Sequence, residues 1–225
     1  MDEMERDVDF VEHLREALSR PLADWRELYE SFSPLDLTMG ERRPWVPDST
    51  DGSRRAAVLV PVLPADEGAR IVYTLRTGEL RDHAGQISFP GGSIDPDDAS
   101  PLATALREAE EEIDLSPDLV EVVGELDELY IPPSNFLVSP FVGLLCDGAA
   151  DLILAPEEVE AIFSTSLKEL MSPGSLKKVV WEREGRPHEV PVFAGGGHEI
   201  WGATAAITAG LLARLGWKPE NATVE

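Results

Sequence analysis

Cysteine is almost missing from this chain. Cys146 stands alone in the apolar run FVGLLC, which excludes an internal disulfide and a metal cluster built from cysteines. Its expected role is that of a small buried hydrophobe. Long apolar stretches are missing too: the 43% of apolar residues fall in short runs, and none nears the roughly 20 continuous apolar residues of a membrane span. The opening MDEMERDVDF lacks the basic and apolar regions of a secretory signal. A soluble, cytoplasmic protein with no membrane partner is therefore expected. Lysine is scarce, at four copies against fifteen arginines, and the formal charge is −24. That balance argues against a nucleic-acid polymer as partner, because such proteins present cations to the phosphate backbone. A small phosphorylated ligand is not excluded, and arginine, whose planar fork suits phosphate, would meet it. The acidic surplus can also serve simply to keep the surface solvated.

What is present suggests one sizeable core preceded by an extension. From about Glu5 to Ser31, apolar residues at helical spacing (Phe10, Val11, Leu14, Leu18, then Leu22, Trp25, Leu28) predict two short helices broken at Pro21. The stretch from Ser33 to Ser53 mixes Pro, Gly, Ser and charge and reads as a linker. Residues 1–50 thus form an N-terminal helical extension and linker, and 51–225 the main domain. Whether the helices pack on the core or mediate association, for instance as a homodimer, stays open. Ala56–Leu63 and Arg70–Arg76 are β-rich runs around a turn-like PADEGA and should pair. Strands are also expected at Leu119–Val123, Leu137–Leu145, Val179–Glu184 and Val190–Phe193, and helices at Pro101 to about Asp114, Pro156–Met171 with a break, and Ala203–Leu215. This mixed order indicates an α/β or α+β fold in which helices cover a mixed sheet.

The helix beginning at Pro101 carries the first chemical signal. Ser100 can cap it, Pro101 suits its first position, and Leu102, Leu106, Ala109 and Ile113 form an apolar stripe. At about 100° per residue, Glu108, Glu111 and Glu112 fall together on the face away from that stripe. The like charges at Glu108 and Glu112 oppose an isolated helix by roughly 0.2–0.5 kcal/mol, and a divalent cation would convert the repulsion into binding. Carboxylate oxygens suit Mg²⁺ better than a softer metal. Arg107, four residues before Glu111, can hold one carboxylate in place. A solvated charged face is the plain alternative.

Upstream, RTGELRDHAGQISFPGGSIDPDD runs from Arg76 to Asp98 as a long irregular loop. Its Gly91 and Gly92 permit close backbone approach to an anion. With loop and helix together, the chain resembles the Nudix hydrolases, whose signature passes from a glycine through an acidic loop into an R-E-x-x-E-E helix. Arg107, Glu108, Glu111 and Glu112 match that helix, and Leu115 fills the final apolar position. Asp114 stands where a glycine is usual, and Asp98 best matches the loop glutamate, with one extra residue before the helix. The run TLRTGELRDHAGQISFPGG is similar to the motif that precedes the box in coenzyme A diphosphatases: Arg76, Arg81, Gly85, Phe89, Pro90, Gly91 and Gly92 fall at its spacing, and Thr77 replaces the usual Ser or Ala.

The resemblance implies an α/β/α sandwich, a phosphoanhydride hydrolase, and Mg²⁺ or Mn²⁺ as cofactor. It makes Glu108 and Glu112 the principal metal ligands, Glu111 a ligand of a further ion or the group that positions the attacking water, and Arg107 the residue that orients the glutamates. Arg76, Arg81, Gly91 and Gly92 become candidates for contact with a small nucleotide-like substrate, although a structural salt bridge is an equal claim on the arginines. Coenzyme A or a derivative is the implied substrate. ADP-ribose, dinucleotides or nucleoside triphosphates are the alternative, and a ligand-binding module without catalysis is a further one. Glu157 and Glu158 can supply a base from a distal loop or simply charge a helix N-terminus. His83 can touch substrate or make a structural hydrogen bond. His13, His188 and His198 lack metal spacing, Gly195–Gly197 reads as a turn, and Trp201 as a core residue.

Overall fold

The structure is a computed structural model that describes residues 3–42, 45, 52–65, 68–78, 85–146, 152–183, 185–219 and 223–224. The two β-rich runs form an antiparallel pair, β3 (Arg54–Ala65) and β4 (Gly68–Arg76), with Val62 opposite Ile71. Alternation along them sets the layers, since successive side chains point to opposite faces. Ala57, Leu59 and Val72 face one hydrophobic cluster, whereas Val60, Val62, Ile71 and Tyr73 face another.

The larger sheet is completed by β9 (Phe136–Leu145), which runs parallel to β3, by β7 (Val120–Glu125) beyond it, and by β10 (Val159–Ser166) on the far side of β4. Three short strands hang from it: β5 (Ile87–Ser88) on β4, β6 (Gly91–Ser93) on β3 and β8 (Leu129–Ile131) on β9. The sheet is mixed. Helix α3 (Pro101–Ile113) covers one face through Ala105, Ala109 and Ile113. The other face is closed by α1 (Glu3–Ser19), α2 (Trp25–Ser31) and α5 (Gly202–Arg214). A second sheet contains β11 (Leu176–Arg183) and β12 (Arg186–Gly195), flanked by β1 (Leu35–Asp36) and β2 (Glu41–Arg42) on one side and β14 (Thr223–Val224) on the other, with β13 (His198–Trp201) also on β12. The architecture is the expected α/β/α sandwich around a mixed sheet.

The N-terminal helices pack on this core. Leu14, Tyr29 and Phe32 are fully buried with residues of α5 and of the sheets, and Phe32 stacks on Phe193 at 5.7 Å. The Tyr29 hydroxyl donates to the Asp127 carbonyl at 3.3 Å, and the Asp127 carboxylate pairs with Arg214 of α5. Burial of each such aromatic stabilises the fold by about 1.5–3 kcal/mol. Among the described residues no helix is long and apolar enough to cross a membrane.

Two local expectations are corrected. Pro156–Met171 is not mainly helical: Val159–Ser166 is strand β10, and only Leu167–Leu170 forms a helix, α4. Its acidic start suggested a helix terminus, but Ile162, Phe163 and Thr165 suit a pleated surface. The edge of β4 takes them as a partner, with Phe163 stacked on Tyr73 at 5.4 Å. Cys146 is exposed rather than buried, because β9 ends one residue before it: the apolar run stays buried through Leu145 and the chain emerges at the cysteine.

Candidate active site

Helix α3 begins and ends as its sequence demands. The Ser100 hydroxyl accepts from the Ala103 N–H at 3.2 Å, Pro101 occupies the first turn, and Asp114 closes the helix in the left-handed region at φ 53°. Asp tolerates that conformation better than most side chains do, so it serves where a glycine would.

The face that α3 buries is rotated from the expected one. Leu102 and Leu106 are only half-buried, whereas Thr104, Ala105, Ala109, Glu112 and Ile113 are buried. The three glutamates therefore do not share a solvent face, and Glu112 is a core residue at 1% exposure. Small side chains allow the closest approach to the sheet. The axis of contact follows Ala105 and Ala109 rather than the larger leucines, and Glu112 lies only about 20° from Ala105 around the helix.

A buried carboxylate must find partners. Arg76, the last residue of β4, places Nη1 at 2.9 Å from Glu112 Oε1, and the Gly91 N–H donates to Oε2 at 3.3 Å. Burial still outweighs these contacts and pushes the Glu112 carboxyl up to about 7. Arg76 and Gly91 act against that shift, while the charges of Glu108 and Glu158 add to it. Burial raises Glu108 as well, opposed by Arg107 and reinforced by Glu111 and Glu158.

Glycines bring the loop onto the helix. Gly91 and Gly92 of β6 pair with Val58 and Ala57 of β3. A Cβ on Gly91 would meet the Ala57 carbonyl and lie 2.7 Å from Val58 Cα, and one on Gly92 would lie 2.5 Å from the Glu108 carboxyl carbon. At Gly91 the obstacle is backbone, which leaves room for glycine alone, whereas at Gly92 it is the carboxylate of Glu108, which would have to give way. At the base of the loop, the Arg76 N–H donates to Gln86 at 3.0 Å and the Gly85 N–H returns to the Arg76 carbonyl at 3.1 Å. Arg81 and His83 lie outside the described residues.

Arg107 is a hub. Its Nε and Nη2 each donate to the Asp98 carboxylate at 3.0 Å, and Nη1 reaches Glu108 Oε1 at 2.9 Å and Glu111 Oε2 at 3.0 Å. Asp98 Oδ2 also accepts from Thr104 Oγ1 at 2.8 Å and from the Asp95 N–H at 2.9 Å. These donors, Arg107 foremost, hold the Asp98 carboxyl far below the usual carboxylate range, and Asp98 in turn raises the arginine. Asp98 is thus an anchor for Arg107, and the guanidinium orients two glutamates at once. Thr104, fully buried, escaped the sequence reading. The available signal was a hydroxyl three residues before Arg107 in an otherwise apolar helix turn.

Glu111 is the most open of the set, with its side chain 58% exposed. Glu157 and Glu158 sit in a turn before β10 rather than at a helix N-terminus. The Glu158 carbonyl accepts from the Thr77 N–H at 3.0 Å, so this turn flanks the end of β4 within electrostatic range of Glu108 and Glu112. The remaining candidates are remote in role: His198 packs on Phe163 at 4.2 Å, His188 contacts the Arg186 carbonyl, His13 is exposed, and Trp201 meets Trp181 edge-on.

Among the described residues, no three His, Cys, Asp or Glu side chains converge as a ready-made ligand set. Each glutamate is instead neutralised by an arginine. The donor chemistry nevertheless fits a hard divalent cation: Glu108 and Glu112 are carboxylates whose mutual charge and burial oppose ionisation, and a cation would relieve both.

Comparison with known proteins gives the same grouping. The NUDIX domain profile matches residues 53–187. An uncharacterised Nudix hydrolase, NudL, of Photorhabdus laumondii is 42% identical over 158 residues, 70% of this chain and 83% of its own length. Its counterpart in Cronobacter sakazakii is 38% identical over 183 residues, covering 79% and 91%. A MutT/nudix family protein of Enterococcus faecalis shares the fold at a TM-score of 0.52 and 14% identity, covering 76% of this chain and 64% of its own.

Proposed function

The chain belongs to the Nudix hydrolase family, and on that premise we propose that it cuts the diphosphate bond of coenzyme A or a derivative, giving 4′-phosphopantetheine, or its acyl form, and adenosine 3′,5′-bisphosphate. One observation carries the substrate assignment. The loop segment that resembles the coenzyme A diphosphatase motif abuts the glutamate helix directly, with Arg76 and Gly91 bonded to Glu112 and Gly92 against Glu108. That adjacency supports reading the motif and the glutamate helix as parts of one site.

Glu108 and Glu112 would hold Mg²⁺ or Mn²⁺, with Glu111 available to a further ion. Such an ion would supply charge neutralisation at the phosphoryl oxygens and make water a better nucleophile. The protein's own part is positioning. Arg107, locked by Asp98, keeps the Glu108 and Glu111 carboxylates in register, and Glu111, the most open of them, orients the attacking water. Water oxygen bonds to one phosphorus as the bridging P–O bond breaks. The bridging oxygen leaves on the other phosphate, and the proton of the water passes to solvent. Arg76, beside the Gly91–Gly92 backbone, would supply a cationic donor to the diphosphate, and the motif assigns Arg81 the same role.

The test offers purified protein with Mg²⁺ or Mn²⁺ coenzyme A, ADP-ribose, a reduced dinucleotide and nucleoside triphosphates, and separates the products chromatographically. Turnover of coenzyme A above the others is expected. Preference for ADP-ribose would overturn the substrate assignment, and inactivity on every compound would point to a binding module. Glu112→Gln should abolish metal-dependent turnover with the fold intact, and an unaffected rate would contradict the ligand assignment.

A further inference from the structure

Arg76 has two claims on it that cannot be met at once. It neutralises Glu112, a carboxylate with 1% exposure, and it belongs to the loop segment assigned to the diphosphate. Glu112 also has two suitors, since the carboxylate that Arg76 grips is one that would hold the metal. An arginine and a divalent cation compete for such an oxygen because both are positive.

The geometry points to an exchange: Arg76 stands in for the cation on Glu112 in the metal-free protein, and uptake of a divalent ion releases its guanidinium to a substrate phosphate. This rests on the metal and diphosphate reading above and adds an order of events to it. Three features support it. Arg76 is the last residue of β4, with its side chain 21% exposed, so it lies at the rim while Glu112 lies inside. Its backbone is pinned on both sides, by Gln86 and by Gly85, so the side chain can swing without the strand moving. Glu112 keeps the Gly91 N–H on its other oxygen at 3.3 Å, which holds the carboxylate in place when the guanidinium leaves. Free arginine would then add a bidentate phosphate contact only after the metal is seated. Metal and substrate binding become positively linked through one side chain.

The experiment uses methylenediphosphonate as a non-hydrolysable probe of the full chain, wild type and Arg76→Gln, followed by phosphorus NMR with and without Mg²⁺. Loss of one charge-assisted contact should weaken probe binding about tenfold in the presence of Mg²⁺. Without Mg²⁺ the two proteins should bind it alike, because Arg76 is then occupied. Mg²⁺ affinity of the probe-free variant, measured by calorimetry, should equal or exceed that of wild type. Equal weakening with and without metal would mean that Arg76 always faces the phosphate, and no weakening in either would make it purely structural; both overturn the exchange. So would weaker Mg²⁺ binding by the probe-free variant. Circular dichroism checks the fold, and Arg76→Lys, which keeps a cation but loses the fork, should show a smaller loss confined to the metal-loaded state. The probe lacks the adenosine and pantetheine arms, so a wrong substrate assignment leaves this result untouched. A wild type that binds no Mg²⁺ would remove the metal reading and the exchange together.

Discussion

Alanine at Gly92 and alanine at Gly91 should fail in opposite ways, although the residues are neighbours in β6. At Gly92 the new methyl would sit 2.5 Å from the Glu108 carboxyl carbon and Oε1, and 2.6 Å from Oε2. Carbon atoms in favourable contact stand about 3.5–4.0 Å apart, so the carboxylate must retreat by roughly 1 Å. It is the free end of a flexible side chain, held to Arg107 by a bond of 2.9 Å, and retreat is inexpensive for the fold. For the chemistry it is not, because a misplacement of about 1 Å can lower a rate about 100-fold. At Gly91 the methyl meets the Ala57 carbonyl and lies 2.7 Å from Val58 Cα. Those atoms are backbone within the central strand β3 and cannot retreat alone, so overpacking should cost about 1–3 kcal/mol. Urea denaturation and kcat on coenzyme A with Mg²⁺, measured on both variants, decide the matter. Gly92→Ala should keep its stability within about 0.5 kcal/mol and lose kcat, and Gly91→Ala should lose stability first. Full activity in Gly92→Ala, or equal destabilisation of the two, would refute the placement of Glu108 against β6.

Asp98→Asn removes the charge that Arg107 clamps. Arg107 holds the Asp98 carboxyl below its unfolded value of about 3.9, so its contribution is fully present above that value and fades as pH falls through the lower folded one. The stability gap between wild type and Asp98→Asn should be constant above about pH 5 and shrink below about pH 4 in thermal melts; a gap that grows with acid would refute the pairing. The same variant should lower kcat more than it raises KM, since Asp98 acts on Glu108 and Glu111 through Arg107. Phe32→Ala, which empties a site stacked on Phe193, should destabilise the whole protein by about 3–5 kcal/mol in a single transition. A separate early transition of the N-terminal helices would show that they do not share the core.

The reach of sequence reasoning followed the range of the interactions involved. Helix α3 was legible end to end because its signals are local: a Ser100 cap, Pro101 in the first turn and charged residues at fixed spacing. So were β3 and β4, where β-branched runs flank a turn. Resemblance of the loop and helix to a known motif implied the sandwich, and Arg107 stands bonded to both Glu108 and Glu111. The helical reading of Pro156–Met171 failed because a strand at the β4 edge depends on what that edge lacks, which no local window contains.

By itself, the sequence determined identity and spacing: Glu108, Glu111, Glu112 and Arg107 on one helix, with Arg76, Gly91 and Gly92 at fixed distance before it. Tertiary structure alone decided how they are placed. Which face of α3 turns inward depends on how closely Ala105 and Ala109 let it approach the sheet, and that packing drew Glu112 out of the solvent and into the reach of Arg76. The anchoring of Arg107 by Asp98 and Thr104 likewise needs the loop folded back over the helix. Identity and spacing are properties of the chain, but burial, charge pairing and proton affinity arise only between segments that the fold brings together.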